Sequence, residues 1–199
     1  MPFNPLIKAA DISAGLKNSS HFLNPDVSRN TLCLSDMVGM GKDMGVHFIS
    51  LPPNKSGSEL HHHYVDSEWF YILRGHGVLV LAPCVMESTC ETSGMAPIPA
   101  PAEVEQVAVA PGDFMGFPGA TGGGGSRAQG ETPLAHTLVA GDEGMEYLVG
   151  RTRKEFDVCV YPLKGKILLR DIGGARALGE YGAFHDVPPS AVVVAEKPK

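Results

Sequence analysis

Residues 61–68 read HHHYVDSE: three consecutive histidines, four intervening residues, and a glutamate. A histidine run is a purification tag, a solvated stretch, or part of a site. Tags are longer and terminal, whereas this run lies in mid-chain between strand signals. In a β-strand, residues two apart share a face. His61 and His63 therefore work as a pair, and His62 points the other way. Glu68 opens EWFYIL (68–73), whose aromatic and β-branched content is a strong strand signal. A short YVDS connection makes the two segments neighbours and brings the carboxylate alongside the imidazoles. Two histidines and a glutamate form a borderline-to-hard ligand set, suited to a divalent transition metal ion such as Fe, Mn, Ni, Zn or Cu.

Outward from this stretch, the chain of 199 residues is of single-domain size and long enough to bury a core. It carries 24 glycines and 16 prolines, which favours many turns and short strands over long helices. Strands are expected at 45–51 (GVHFISL), 60–64, 68–73, 78–82, 104–109, 135–140, 146–149, 157–161 and 166–170, the sixth and seventh joined by a GDEG turn. A short helix is expected near 7–16, an extended excursion at 83–102, and a surface tail from 171. Seven to nine short strands without a long helix describe an all-β sandwich or barrel.

The formal net charge is −6 and no basic stripe appears, so no nucleic-acid partner is expected. The N-terminus lacks a basic region followed by an apolar run, and no stretch reaches the length of a bilayer span, so a cytoplasmic protein with no membrane partner is expected. Cys33, Cys84, Cys90 and Cys159 form no CxxC pair and read as reduced thiols, although Cys84 and Cys90 are close enough in sequence to meet across a loop. Ser-His-Asp, Gly-x-Ser-x-Gly and phosphate-loop patterns are absent.

The spacing His61-x-His63-x4-Glu68-x6-Gly75 resembles the first motif of the cupin superfamily. The second motif is similar in outline but interrupted. Gly112-x5-Pro118 is present, a glycine-rich stretch at 119–130 intervenes, and AHTLVAGDEGMEYLVG then resembles the motif's ending. The resemblance makes His136 the third histidine ligand, places Ala140 where cupins carry an asparagine, and covers about residues 36–170. It implies a double-stranded β-helix, or jelly-roll barrel, at 36–170, flanked by an N-terminal extension (1–35) and a C-terminal tail (171–199). It also implies one metal ion held by His61, His63, Glu68 and His136.

Phe70 and Ile72 share the parity of Glu68 and are expected to line the same cavity; Trp69 and Tyr71 face outward or into a subunit contact. His47 is a candidate substrate contact or proton carrier on its strand, and His76 a surface residue. The glycine-rich stretch reads as an inert insertion or a lid, and Arg127 is its one cation, a candidate contact for an anionic substrate. The function implied is a metal-dependent cupin enzyme acting on a small oxygen-rich molecule, by oxygenase-type (dioxygenase) or enediol/decarboxylation chemistry. Glu68 is then a ligand that can also act as a base. The alternatives are a metal-dependent isomerase or lyase, and a non-catalytic small-molecule binder. A homodimer is expected.

Overall fold

The structure, a computed structural model, describes residues 4–84, 104–119, 133–171 and 176–180. In chain order its elements are α1 (Ala9–Gly15), β1 (Lys17–His21), β2 (Asn24–Cys33), α2 (Leu34–Met37), β3 (Met44–Leu51), β4 (His62–His63), β5 (Glu68–Pro83), β6 (Glu105–Val109), β7 (Phe114–Phe117), β8 (Leu134–Thr152), β9 (Phe156–Tyr161), β10 (Lys166–Asp171) and β11 (Arg176–Glu180). The larger sheet runs β1-β2-β3-β8-β5-β6, with β7 also on β5; the smaller runs β11-β10-β9-β4. Every pairing is antiparallel. The all-β jelly-roll architecture is the expected one. No helix among the described residues is long and apolar enough to cross a membrane.

Alternation builds the barrel. Along β5, Glu68, Phe70 and Ile72 are buried while Tyr71 and Leu73 are exposed. Ile49, Leu51, Phe70, Ile72, Leu138 and Tyr147 meet in the main apolar core. At about 25 cal/mol per Å² of apolar surface removed from water, such inward rows are the principal force closing the sheets on each other.

Three expectations need correction. The segments 68–73 and 78–82 belong to one strand of 16 residues, and 135–140 and 146–149 to one of 19, because β5 and β8 pair along nearly their whole length. GDEG is therefore no hairpin turn. The two strands bend together instead, with register shifts between Ile72 and Arg74 and between Gly75 and Gly77. Gly75 and Gly144 both take φ of +79° there, and a Cβ on Gly75 would collide with the Gly144 carbonyl oxygen. The polar N-terminal region contains the β1–β2 hairpin, which extends the larger sheet beyond β3. Past residue 171, β11 pairs with β10.

The segment that decides the site crosses between sheets. His61 bridges to His136 on β8, with backbone hydrogen bonds in both directions (3.3 and 2.8 Å), and the next two residues pair with Val160 and Cys159 on β9. Cys33, Cys84 and Cys159 are free thiols; Cys90, the 85–102 part of the excursion, residues 120–130 of the glycine-rich stretch with Arg127, and the tail beyond 180 lie outside the described residues.

Candidate metal centre

His61, His63, Glu68 and His136 are all buried and converge. From Glu68 Oε2, the Nε2 atoms of His136, His61 and His63 lie at 2.9, 3.6 and 4.0 Å. Each imidazole is held from behind. His61 Nδ1 donates to the Glu59 carbonyl (2.8 Å), His136 Nδ1 to the Leu134 carbonyl (3.1 Å) and His63 Nδ1 to Asp157 Oδ2 (2.7 Å). Carbonyls and carboxylates only accept, so each Nδ1 carries a proton and the three Nε2 atoms are the ones that face inward, where His136 Nε2 hydrogen-bonds Glu68 Oε2.

The charges follow the same logic. Burial drives the His61 pKa well below its ordinary value, against the pull of Glu68, so its ring is neutral. Burial would raise Glu68, but the hydrogen bond to His136 and the neighbouring His63 and His61 outweigh it and hold the carboxyl far below the usual carboxylate range. Three imidazole Nε2 atoms thus converge on an ionised carboxylate in a nearly dry site. That arrangement calls for a cation between them, and the donor set suits a metal ion. Two overlapping trios have their ligand atoms all within 4.8 Å: His61, Glu68 and His136, and His61, His63 and Cys159.

Packing fixes the rings. Phe117 stacks on His136 with centroids 3.6 Å apart and planes 14° from parallel, and Phe70 meets the same ring edge-on at 5.6 Å. Tyr161 stacks on His61 at 5.7 Å. Asp157, 1% exposed, also accepts from the backbone N–H groups of Val65 and Asp66 (both 3.1 Å). His62 is buried on the opposite side, its ring beside Tyr64.

A cavity of about 380 Å³ opens from this centre. Phe70 and His47 line it, as the sequence suggested. Ile72 does not: at 0% exposure it is packed in the core, one pleat deeper than Phe70. His47 is pushed down to about 4, by burial first and then by Arg151, Arg153 and Arg29, so its ring is neutral at physiological pH. Burial raises Tyr147 and Tyr161, which keep their hydroxyl protons, and raises the Cys159 thiol.

The sequence reading missed Asp157, Cys159, Tyr147, Tyr161, Arg29, Arg151 and Arg170, all of which line the cavity. Parity was the available signal. Asp157, Cys159 and Tyr161 alternate along β9, and Tyr147, Val149 and Arg151 along β8.

A solved structure from Acidithiobacillus ferrooxidans, named as a candidate sugar phosphate isomerase, is 30% identical and superimposes with a TM-score of 0.67. The match covers 92% of this chain and 96% of that one. Another, named as a sugar phosphate isomerase of the cupin superfamily from Silicibacter pomeroyi, is 20% identical over 84% of this chain and 90% of that one, with a TM-score of 0.59. The chain belongs to the cupin superfamily. No family model and no curated protein matches it. In this cupin the interruption of the second motif leaves His136 on β8, backbone-paired to His61, so the donors meet whatever path the intervening segment takes.

Proposed function

We propose that this cupin is a metal-dependent isomerase that moves a proton between adjacent carbons of a small hydroxy-carbonyl compound. The observation that carries the reading is the meeting of four ligand side chains, His61, His63 and Glu68 of them in the wall of a cavity of about 380 Å³ that is large enough for a small metabolite. The likeness to a 30% identical protein named as a candidate sugar phosphate isomerase supports it.

His61, His63 and His136 would hold a divalent ion through Nε2, and Glu68 through its carboxylate. Such an ion supplies Lewis acidity at neighbouring carbonyl and hydroxyl oxygens. The other residues then have defined tasks. Neutral His47 accepts a proton from carbon and returns it to the adjacent one. The protonated hydroxyls of Tyr147 and Tyr161 donate hydrogen bonds to the two substrate oxygens, between which the substrate's hydroxyl proton passes as the carbonyl changes place. The barrel wall, with Phe70 and Val149, excludes bulk water from that face. Oxygenase-type or decarboxylation chemistry at the same ligand set, expected from the family resemblance, is the alternative that the test separates.

The test is solvent exchange. Metal-loaded protein is incubated in D₂O with a panel of aldoses, ketoses and their phosphates, and NMR follows deuterium entering the carbon next to the carbonyl. A parallel oxygen electrode monitors uptake. Metal-dependent deuterium entry that is lost in His61→Ala and reduced in His47→Gln is the expected result. Oxygen consumption without exchange would replace the reading by an oxygenase.

A further inference from the structure

The cysteines among the described residues sit in unlike surroundings. Cys84 packs with Leu60, Ala82 and Ala135 in an apolar cluster. Cys33 Sγ lies 3.3 Å from Ser35 Oγ and accepts from Arg153 at 3.4 Å. Cys159 is buried on β9, directly across from His63 on β4. Directly opposed residues of an antiparallel pair share a face, with Cβ atoms about 4.5–5.5 Å apart. The Cys159 sulfur and one ring nitrogen each of His61 and His63 all lie within 4.8 Å of one another, and all three residues are buried. A structural buried cysteine packs as a small apolar side chain. Cys159 instead faces two imidazoles.

This trio differs from the other, His61, Glu68 and His136, in one chemical respect: sulfur replaces a carboxylate oxygen. Carboxylate oxygen suits hard ions such as Mn²⁺, whereas thiolate selects softer ones. A metal–sulfur bond of about 2.3 Å and a metal–nitrogen bond of about 2.0–2.1 Å keep two donors within roughly 4.4 Å of each other. A small inward turn of the three side chains therefore closes them on one ion. Supports stand behind two of the donors: Asp157 holds His63 Nδ1 at 2.7 Å, and the Tyr161 hydroxyl hydrogen-bonds the Cys159 sulfur. His61 belongs to both trios, and its Nδ1 is engaged by the Glu59 carbonyl, so one nitrogen is left to offer. The two positions cannot be filled at once.

We propose that His61, His63 and Cys159 form a second metal position, for soft and borderline cations such as Cd²⁺ and Zn²⁺, that excludes an ion from the position beside Glu68 and His136. As the sulfur–metal bond forms, the Cys159 S–H bond breaks and its proton leaves to solvent; no electron is transferred. One cavity wall thus sorts ions by softness. Mn²⁺ is held by the three histidines and Glu68, and Cd²⁺ is drawn to the thiolate side. The inference goes beyond the isomerase reading and does not depend on it, because it concerns which ion is held and where, not the reaction.

The experiment titrates Co²⁺ and Cd²⁺ into the metal-free protein and reads the ultraviolet thiolate-to-metal charge-transfer absorption. Electron paramagnetic resonance reads Mn²⁺ binding in parallel. The proteins are the wild type, Cys159→Ser, Cys159→Ala and Glu68→Gln, and thermal melts without metal show which are folded. In the wild type the absorption is expected to saturate at about one ion per chain. It should vanish in both Cys159 variants, where Cd²⁺ affinity falls about tenfold or more, and persist in Glu68→Gln. Mn²⁺ should bind the Cys159 variants, bind weakly to Glu68→Gln, and leave the wild type as Cd²⁺ is added. No thiolate absorption in the wild type, or the same absorption in a folded Cys159 variant, would overturn the position. Mn²⁺ and Cd²⁺ held together by one chain would overturn the exclusion. Thiolate absorption without any Mn²⁺ binding keeps this position and sinks the four-ligand centre; Mn²⁺ binding without thiolate absorption does the reverse.

Discussion

Replacing Asp157 by asparagine changes one atom in the wall of the candidate metal centre, and the structure dictates which. Asp157 Oδ1 accepts from the Val65 and Asp66 N–H groups, both at 3.1 Å, and Oδ2 accepts from His63 Nδ1 at 2.7 Å. Burial would raise this carboxyl, but the His63 hydrogen bond and the two backbone donors hold it far below its ordinary value. In Asp157→Asn the amide oxygen must stay on the backbone side, because a flipped amide would set donors against two donors. The NH₂ then faces His63 Nδ1. That nitrogen has to accept, and the ring's proton moves to Nε2, where it blocks ligation. Partners that orient a metal-bound histidine are worth about 10–100-fold in metal affinity, or about 1.4–2.7 kcal/mol. The lost charge-assisted hydrogen bond costs fold stability about 1.5–3 kcal/mol. Competition with a chromophoric chelator measures the affinity, and urea unfolding of the metal-free protein the stability. A folded Asp157→Asn variant with wild-type metal affinity would refute the claim that Asp157 sets the His63 tautomer.

Two further outcomes follow from packing and charge. A Cβ at Gly150 would lie 2.5 Å from Trp69 Nε1 and closer still to the indole carbons, so Gly150→Ala should cost about 1–3 kcal/mol in urea unfolding. Adding Trp69→Leu should recover part of that loss, and a double mutant no better than the single would contradict the clash. His47 falls from 6.5 to about 4 on folding, mainly by burial, so the folded state holds fewer protons than the unfolded one. Its contribution to stability is present above pH 6.5 and is lost as pH falls toward 4. His47→Gln should therefore show a shallower decline of unfolding free energy across that window, and parallel curves would refute the assignment.

What could be read in advance depended on whether the signal was local. The pair His61 and His63 and the partner Glu68 lie within eight residues, where strand parity alone relates them. His136 was legible only through motif resemblance, because its contact with His61 spans 75 positions and an insertion intervenes. The β1–β2 hairpin was missed since KNSSH is almost wholly exposed and carries no apolar alternation. The long β8 was split because glycines at 141 and 144 look like turn residues, whereas in a twisted barrel they are where a continuous strand bends. Arg29, Arg151 and Asp157 carry no motif. They acquire meaning from three different strands facing one cavity, which is a property of the closed barrel rather than of any window of sequence.

The central claim is that His61, His63, Glu68 and His136 hold a metal ion together. Elemental analysis tests it most directly, on wild type and on the His61→Ala/His136→Ala double variant, each loaded with Mn, Fe, Co, Ni or Zn and then desalted. The account predicts about one ion per chain in the wild type and none in the folded double variant. Full occupancy in the double variant, or a wild type that retains none of these metals, would contradict it.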